Sequence, residues 1–354
     1  MSRFFSAKYD QLTPYTPGEQ PKDQQYIKLN TNESPFPPSA KAQALAKAAA
    51  EDLQLYSDPT CSALVEKAAK QFGVAPDEIL FTNGSDDILN FAFMAFCDRD
   101  TPAVFPNITY GFYPVFAKLN HIPFTEIPLT DNFRIRVEDY IGVNKTVVIA
   151  NPNAPTGIAL PLSDIERIVK SNPNNVIVID EAYVDFGGES AVPLIHKYDN
   201  LLVTQTFSKS RSMAGARLGF CVGCKALIQD LNTIKYATNP YNINRMTMAA
   251  GIGALEDREY FENNCQAIMA TRSLTTEALQ SLGFTVLPSK ANFVFAKHPG
   301  IPGKTLYLAL KERGVLVRHF DTPLLTDYNR ITIGTDEQMQ TLVNTIQSIL
   351  EETL

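Results

Sequence analysis

Short apolar runs recur along much of the chain, and each is followed by a polar or turn-forming cluster. Such runs, bounded by Gly, Pro, Asn or Asp residues, are typical of buried strands. They occupy residues 79–82, 103–106, 146–150, 176–179 and 201–203. The pattern therefore predicts a set of buried strands whose ends carry polar residues.

Helical patterns separate and follow these strands. Ser39 suits the N-cap of an alanine-rich helix that extends to residue 52, and Gly73 suits the end of a helix at 63–72. A single long helix is predicted at 245–282. After it come strands at 292–295, 315–318 and 330–334 and a helix from residue 336. This alternation without internal repeats is consistent with an α+β second domain.

Composition and charge narrow the class of protein. The chain has 354 residues, of which 45% are hydrophobic and 19% charged, and this length allows a large domain plus a smaller one. A net charge of −7 argues against nucleic acid or an anionic membrane surface as the main partner. We find neither a membrane-spanning apolar run nor a signal-peptide core at residues 1–5.

The distribution of cysteines and histidines bears on the cellular compartment and on whether the chain binds a metal. The five cysteines are scattered, which fits a reducing environment, so we expect a cytoplasmic protein. Cys221 and Cys224 have the spacing of a redox or metal pair, but they lie in an apolar, strand-like run. The four histidines do not cluster, so no metal is predicted.

One lysine stands out by its surroundings. Lys209 follows the apolar run 201–203, lies between small hydroxylated residues, and precedes Arg217 by eight positions. A lysine that forms a Schiff base needs a partly desolvated pocket, which lowers its pKa and frees the amine. Hydroxyls and a guanidinium beside it suit a bound phosphate. A surface lysine in a polar loop is the alternative that this stretch alone leaves open.

A second polar cluster follows the strand at 79–82. The run 83–87 reads Asn-Gly-Ser-Asp-Asp and opens a predicted helix to about residue 96. Free N–H groups at a helix N-terminus bind anions, and the helix dipole favours negative charge there. The alternative is a helix N-terminus that Ser85 or Asp86 merely caps.

Two further clusters end buried strands. Asp180 follows the run 176–179, at the position where ligands bind in doubly wound sheets, although a helix cap is the alternative. The run 151–157 reads Asn-Pro-Asn-Ala-Pro-Thr-Gly, and its two prolines predict a rigid turn.

These motifs, taken together and in order, resemble pyridoxal-phosphate aminotransferases of fold type I. The similarity covers nearly the whole chain and is strongest to the histidinol-phosphate aminotransferase subgroup. It rests on Thr-Phe-Ser-Lys-Ser-Arg around Lys209, on Asp-Glu-Ala-Tyr at 180–183, on the runs at 83–87 and 151–157, and on Pro-Tyr-Thr-Pro-Gly at 14–18.

The resemblance implies an α/β fold and a division of the chain. A large domain at 39–246 would hold a mainly parallel sheet wrapped by helices, and a smaller α+β domain would span 247–354. An N-terminal arm at 1–38 would lie over the active site and the small domain. Tyr56, in Tyr-Ser-Asp-Pro, would reach the phosphate of the partner subunit's cofactor, which implies a homodimer with shared active sites. A surface turn is the competing interpretation of that tetrapeptide.

The resemblance also implies roles around bound pyridoxal 5'-phosphate. Lys209 would hold the cofactor covalently and move protons, Asp180 would pair with its ring nitrogen, and Tyr183 would donate to its phenolic oxygen. Tyr110 would stack on the ring. The phosphate would be bound by Gly84, Ser85, Asp86, Thr206, Ser208, Arg217 and the partner subunit's Tyr56. Substrate would contact Tyr15, Asn32, Arg318 and Arg330.

This chain departs from the family pattern at one cofactor contact. Ala154 stands where an asparagine commonly bonds the phenolic oxygen. We expect Asn153 to take that role, unless the contact is missing, and we expect a cis bond between Ala154 and Pro155. We place Phe112, Tyr113 and Phe116 in the core.

The function that the resemblance implies is transamination between L-histidinol phosphate and 2-oxoglutarate. An aromatic-amino-acid aminotransferase and a pyridoxal-phosphate decarboxylase of a phosphorylated amino acid remain alternatives. A cofactor-binding regulator without catalysis would need an N-terminal DNA-binding domain, for which the arm leaves no room.

Overall fold

The computed structural model describes residues 2–10 and 12–353, so residues 1 and 11 of the predicted arm lie outside the described residues. Within the described part, the strands are β1 (Ile27–Lys28), β2 (Ile79–Thr82), β3 (Ala103–Pro106), β4 (Phe124–Ile127), β5 (Thr146–Ala150), β6 (Ile177–Asp180), β7 (Leu201–Thr206), β8 (Gly219–Gly223), β9 (Thr285–Val286), β10 (Phe293–Lys297), β11 (Val315–Leu316), β12 (Arg318–His319) and β13 (Asn329–Thr332). The α-helices are α1 (Ala40–Ala49), α2 (Ser62–Phe72), α3 (Ser85–Phe96), α4 (Tyr113–Leu119), α5 (Leu162–Ser171), α6 (Lys225–Thr238), α7 (Arg245–Glu256), α8 (Arg258–Ser281), α9 (Gly303–Glu312) and α10 (Asp336–Thr353).

The largest sheet has seven strands in the order β2-β8-β7-β6-β5-β3-β4. Neighbours from β7 to β4 run parallel, whereas β8 is antiparallel to both β7 and β2. All residues of β2, β3 and β5 to β8 are buried, while β4 is a partly exposed edge. The predicted α/β fold with a mainly parallel sheet is confirmed.

Helices cover both faces of this sheet. Ile177 and Ile179 of β6 pack into one core together with α1, α2, α5 and α7, whereas Val178 packs into a second core with α3, α4 and α6. Successive side chains of a strand point to opposite faces, so a strand with two covered faces needs apolar residues at every position. This arrangement explains the continuous apolar runs in the sequence.

A smaller sheet forms the C-terminal part of the molecule. Its four strands lie in the order β12-β13-β10-β9, and every pairing is antiparallel. Ile268 of α8, Leu306 of α9 and Leu342 of α10 share its core with Val294 and Ile331. The arm joins this part of the molecule, because β1 pairs in parallel with β11.

The predicted long helix at 245–282 is wrong, because the chain breaks at Asp257 into α7 and α8. Helix α7 packs closely on α1: a Cβ at Gly253 would lie 2.6 Å from the Ala42 Cα. Helix α8 instead contributes Cys265 and Ile268 to the C-terminal core. The break at Asp257 therefore redirects the chain from one core to the other.

The division into a large domain at 39–246 and a small one at 247–354 stays a prediction. Among the described helices, none combines the length and the apolar character that crossing a membrane requires.

Candidate active site

Most of the predicted site residues line two adjoining cavities at the carboxyl ends of the parallel strands. Loops after β2, β3, β5, β6 and β7 surround an inner cavity of about 100 Å³, which adjoins an outer cavity of about 710 Å³. The two cavities share Tyr110, Ala154, Tyr183 and Lys209 as lining residues. Ligands of open α/β sheets bind at this edge, and the outer volume suits a small-molecule substrate.

Lys209 lies where the two cavities meet. Its Nζ donates a hydrogen bond to the Thr31 carbonyl at 3.2 Å and lies 5.9 Å from the centroid of the Tyr183 ring. Desolvation in the cavity, and after it the nearby Arg330, lower the pKa of Lys209 to about 8. Loss of water disfavours the charged ammonium, so this lysine becomes a neutral amine at lower pH than an ordinary lysine.

This pKa gives a testable pH dependence. In cofactor-free protein, the rate at which Lys209 captures pyridoxal phosphate should rise with pH around a midpoint near 8, because only the neutral amine reacts. Arg330→Met should move the midpoint upward, since it removes a positive charge that lowers the pKa. Arg318→Met is the matched control and should leave the midpoint in place. A midpoint near the ordinary lysine value in the parent protein would contradict this placement of Lys209.

The loop between β2 and α3 lies beside the inner cavity and close to Arg217. Gly84 adopts a positive φ of 82°, and a Cβ there would lie 2.6 Å from the Arg217 Nη2. Ser85 begins α3, and Ser85 and Asp86, whose backbone N–H groups belong to the first turn of the helix, both line the inner cavity. The Ser208 Oγ is buried without a hydrogen-bond partner among the described residues. A bound phosphate would supply the acceptors that these donors need.

Asp86 connects this loop to two other predicted residues. Its carboxylate accepts hydrogen bonds from the Tyr110 OH and from the Arg217 Nη2, both at 2.8 Å. The carboxylate charge is therefore balanced by Arg217, and the backbone N–H of Asp86 stays available for an anion. Thr206 and Ser208 line the same cavity.

Asp180 lies fully buried at the end of β6. Burial raises the pKa of its carboxyl to about 6, while hydrogen bonds from the Tyr113 OH at 2.8 Å and the Ala182 N–H at 3.3 Å act in the opposite direction. A buried carboxylate of this kind is stabilised by a cationic partner, such as a protonated ring nitrogen.

Tyr113 is a residue whose role the sequence did not reveal. It was expected in the core, and it is indeed buried in α4, but its hydroxyl reaches Asp180. The aromatic spacing signalled only a buried face, and nothing local indicated a partner 67 residues away.

Residues of the N-terminal segment line the outer cavity. Asn32 donates from Nδ2 to the Tyr183 OH at 2.9 Å. Tyr15 lines the cavity and stacks on Phe112, with ring centroids 4.2 Å apart.

Two arginines line the outer cavity, and neither has a carboxylate partner among the residues that the structure describes. Arg330 donates to the Asn30 carbonyl and lies between the Phe293 and Phe320 rings, at 5.4 Å and 5.6 Å from their centroids. Arg318 donates to backbone carbonyls of residues 16 and 17. Hydrogen bonds to neutral carbonyls leave both guanidinium charges available to an anionic ligand.

The expected role of Asn153 is corrected by the structure. Its Nδ2 donates to the Ile108 carbonyl at 3.0 Å and to the Thr156 Oγ1 at 3.1 Å, so both amide hydrogens are used inside the turn. Asn153 lines neither cavity, whereas Ala154 lines both. Among the described residues no asparagine lines the inner cavity, and Asn153 acts as a turn residue in this structure. The expected cis bond between Ala154 and Pro155 is confirmed, and the bond between Asn151 and Pro152 is cis as well.

Tyr56 is not brought to the cavity of its own chain. Its side chain is 80% exposed and stacks on Tyr241, with centroids 4.8 Å apart. Among the described residues, no group of three or more His, Cys, Asp or Glu side chains could hold a metal ion.

Comparisons with known proteins agree with this geometry. The sequence model of the family "Aminotransferase class I and II" matches residues 24–346. A histidinol-phosphate aminotransferase of Brachyspira hyodysenteriae is 49% identical over 99% of this chain and 100% of its own length. That of Aromatoleum aromaticum is 50% identical, again over 99% of this chain and 100% of the relative.

A solved structure shows the same fold. The crystal structure of the histidinol-phosphate aminotransferase from Clostridium acetobutylicum superposes with a TM-score of 0.85 at 24% identity, covering 92% of this chain and 99% of that one. The chain therefore belongs to the class I and II aminotransferases, and its architecture is the fold type I predicted from its motifs.

Proposed function

We propose that this chain is a pyridoxal-phosphate-dependent aminotransferase that transfers the amino group of L-histidinol phosphate to 2-oxoglutarate. The proposal rests on two guanidinium groups, those of Arg318 and Arg330, which line the same outer cavity as Lys209. Among the described residues, neither has a carboxylate partner. Both substrates are anionic, one through a phosphate and the other through carboxylates. The relatives named above, which are about half identical over their whole length and are named histidinol-phosphate aminotransferases, support the first of these substrates.

The lining residues fit the cofactor. Gly84, Ser85, Ser208 and Arg217 would hold the phosphate of pyridoxal phosphate, with Asp86 and Thr206 beside them. When bound, this cofactor supplies a carbonyl carbon that reacts with amines and a ring that withdraws electrons. Asp180 would hold a proton on the ring nitrogen, and Tyr110 and Tyr183 would lie against the ring and its phenolic oxygen.

The remaining residues would bind substrate and move protons. Lys209 Nζ, a neutral amine above pH about 8, would remove the proton from Cα of the bound amine and return it at the cofactor's C4′ atom. Arg330 and Arg318 would bind the phosphate of the first substrate, and Arg330 the carboxylate of the second. Tyr15 and Asn32 of the arm would cover the cavity and exclude water.

The proposed assembly is a homodimer in the cytoplasm. The hydroxyl of the exposed Tyr56, which lines neither the inner nor the outer cavity of its own chain, would donate a hydrogen bond to the phosphate of the partner subunit's cofactor. Five free cysteines suit a reducing compartment. The large domain would span 39–246 and the small one 247–354, with the arm at 1–38 lying across both.

The test compares amine donors at fixed 2-oxoglutarate. We expect kcat/KM for L-histidinol phosphate to exceed that for L-phenylalanine, because only the former has a phosphate for the arginines. Arg318→Met should lower the histidinol phosphate value about 10- to 100-fold, the worth of lost hydrogen bonds to a charged group, and affect phenylalanine little. Arg313→Met, a surface arginine paired with Glu352, is the matched control and should change neither.

Two results would contradict the assignment. A preference for phenylalanine would indicate an aromatic-amino-acid aminotransferase. Release of carbon dioxide from L-threonine O-phosphate would indicate a decarboxylase of a phosphorylated amino acid.

A further inference from the structure

A short segment between α6 and α7 contacts two loops that the proposed function assigns to different active sites. We call residues 239–243 the bridging segment. On one side it contacts the phosphate loop, residues 83–87, which opens α3. On the other it contacts the tyrosine loop, residues 55–59, which carries Tyr56.

The contact with the phosphate loop is a hydrogen bond to a half-buried carboxylate. Asn242 Nδ2 donates to the Asp87 Oδ2 at 2.9 Å, and the same oxygen accepts the Asn83 N–H at 3.3 Å. Burial raises the pKa of Asp87, so its ionised form depends on these donors. The Asn242 Oδ1 is itself buried without a hydrogen-bond partner among the described residues. The hydrogen bond from Nδ2 to Asp87 is therefore the contact that explains an amide side chain at this position.

The contact with the tyrosine loop fixes its exposed aromatic ring. The Tyr241 and Tyr56 rings stack with an interplanar angle of 25°. The Ser57 Oγ donates to the Ile243 carbonyl at 2.7 Å, immediately after Asn242 in the chain. The exposed Tyr56 ring is therefore held by the same five residues that hold Asp87.

We propose that Asn242 is a positioning residue for both cofactor phosphates of the dimer. Through Asp87 it positions the backbone N–H groups of the phosphate loop in its own subunit. Through the rest of the bridging segment it positions Tyr56 against the phosphate of the partner subunit's cofactor. The inference rests on the proposed function, because it requires a dimer in which Tyr56 crosses to the other site. Groups that bind a phosphate must be held in place by their neighbours, and the bridging segment does this for both sites.

Hybrid dimers separate the effect of Asn242 on the partner subunit's cofactor site from its effect on the site of its own subunit. One subunit carries Lys209→Ala, so that only the cofactor in the other subunit, which is unaltered, gives the visible absorbance of a covalently held ring. A second change is then placed in the Lys209→Ala subunit. The dissociation constant of pyridoxal phosphate from the unaltered site is measured by titration of that absorbance.

We expect Asn242→Ala in the Lys209→Ala subunit to weaken cofactor binding at the unaltered site about 3- to 10-fold, which corresponds to part of one hydrogen bond. Asn242→Asp should weaken it further, because it places a second carboxylate beside Asp87. Asn263→Ala, on an exposed face of α8, is the matched control and should have no effect. Binding of pyridoxal, which lacks the phosphate, should be unchanged by all three.

The outcomes distinguish this inference from the proposed function. Tyr56→Phe in the Lys209→Ala subunit should weaken the unaltered site about 10-fold or more, since it removes a hydrogen bond to a charged group. If Tyr56→Phe has this effect and Asn242→Ala has none, the positioning role is overturned and the proposed dimer stands. If Tyr56→Phe has none either, the crossing arrangement itself is wrong, and the inference is overturned with it. An equal loss for pyridoxal would show that Asn242 only stabilises the fold, and would also overturn the role.

Discussion

Replacing Lys209 by alanine should abolish turnover and remove the visible absorbance of the covalently held cofactor. The proposed function gives this residue two roles, as the covalent anchor and as the base that moves the proton from Cα. Loss of a positioned general base alone lowers rates about 10²- to 10⁴-fold, and loss of the anchor adds to this. The lowered pKa of Lys209 and its place between the two cavities single it out among the lysines of the chain.

The measurement is mass spectrometry after borohydride reduction. The parent protein should gain the mass of the reduced cofactor on the peptide that contains Lys209, and Lys209→Ala should gain none. Lys225→Ala, a surface lysine paired with Asp77, is the matched control and should retain the adduct. A reducible adduct that persists in Lys209→Ala would show that another amine is the anchor.

Asp180→Asn should slow turnover about 30- to 150-fold, since about 2–3 kcal/mol is lost with one hydrogen bond between charged groups. The substitution keeps the shape of the side chain and removes its charge. The ring nitrogen would then lose the partner that holds its proton, and the cofactor would stabilise negative charge at Cα less well. Rates of the half-reaction with L-glutamate, followed by absorbance, measure this effect directly.

Tyr113→Phe should affect Asp180 less than Asp180→Asn does, and it serves as the milder comparison. It leaves the carboxylate in place and removes one hydrogen bond to it, so we expect a smaller loss of about 5- to 10-fold. The Tyr113 bond acts to lower the pKa of Asp180, so its removal should raise that pKa and shift the acidic limb of the kcat/KM profile to higher pH. Near-normal turnover in Asp180→Asn would contradict the assigned role.

Local patterns were sufficient to predict the buried strands of the central sheet, although not its partly exposed edge strand β4, and several helix boundaries. Ser39 caps α1 by accepting the Ala42 N–H, and Gly73 ends α2 in the left-handed conformation, as expected. Such caps depend on neighbours within a few residues, so the sequence carries them directly. The break at Asp257 was missed because the helical pattern continues through it, and only the packing of α7 and α8 in different cores requires it.

The sequence predicts the place of a site residue best where the residue's position in the fold also fixes the direction of its side chain. Asp180 ends β6 and Lys209 follows β7, and because these two strands are parallel neighbours, the two residues meet at the same edge of the sheet. Side-chain direction within irregular segments was not predictable. Asn153 lies next to Ala154, where the chain departs from the family pattern, yet its amide is used within the turn. Tyr113 belongs to a buried helix face, yet its hydroxyl reaches Asp180.

The most direct measurement follows the first half-reaction with a single donor. Enzyme loaded with pyridoxal phosphate is mixed with L-histidinol phosphate in the absence of any oxo acid. The visible absorbance should disappear as an equimolar amount of the ketone product forms, and 2-oxoglutarate should then restore it with equimolar L-glutamate. If L-histidinol phosphate leaves the absorbance unchanged while another amine discharges it, the proposed function is wrong.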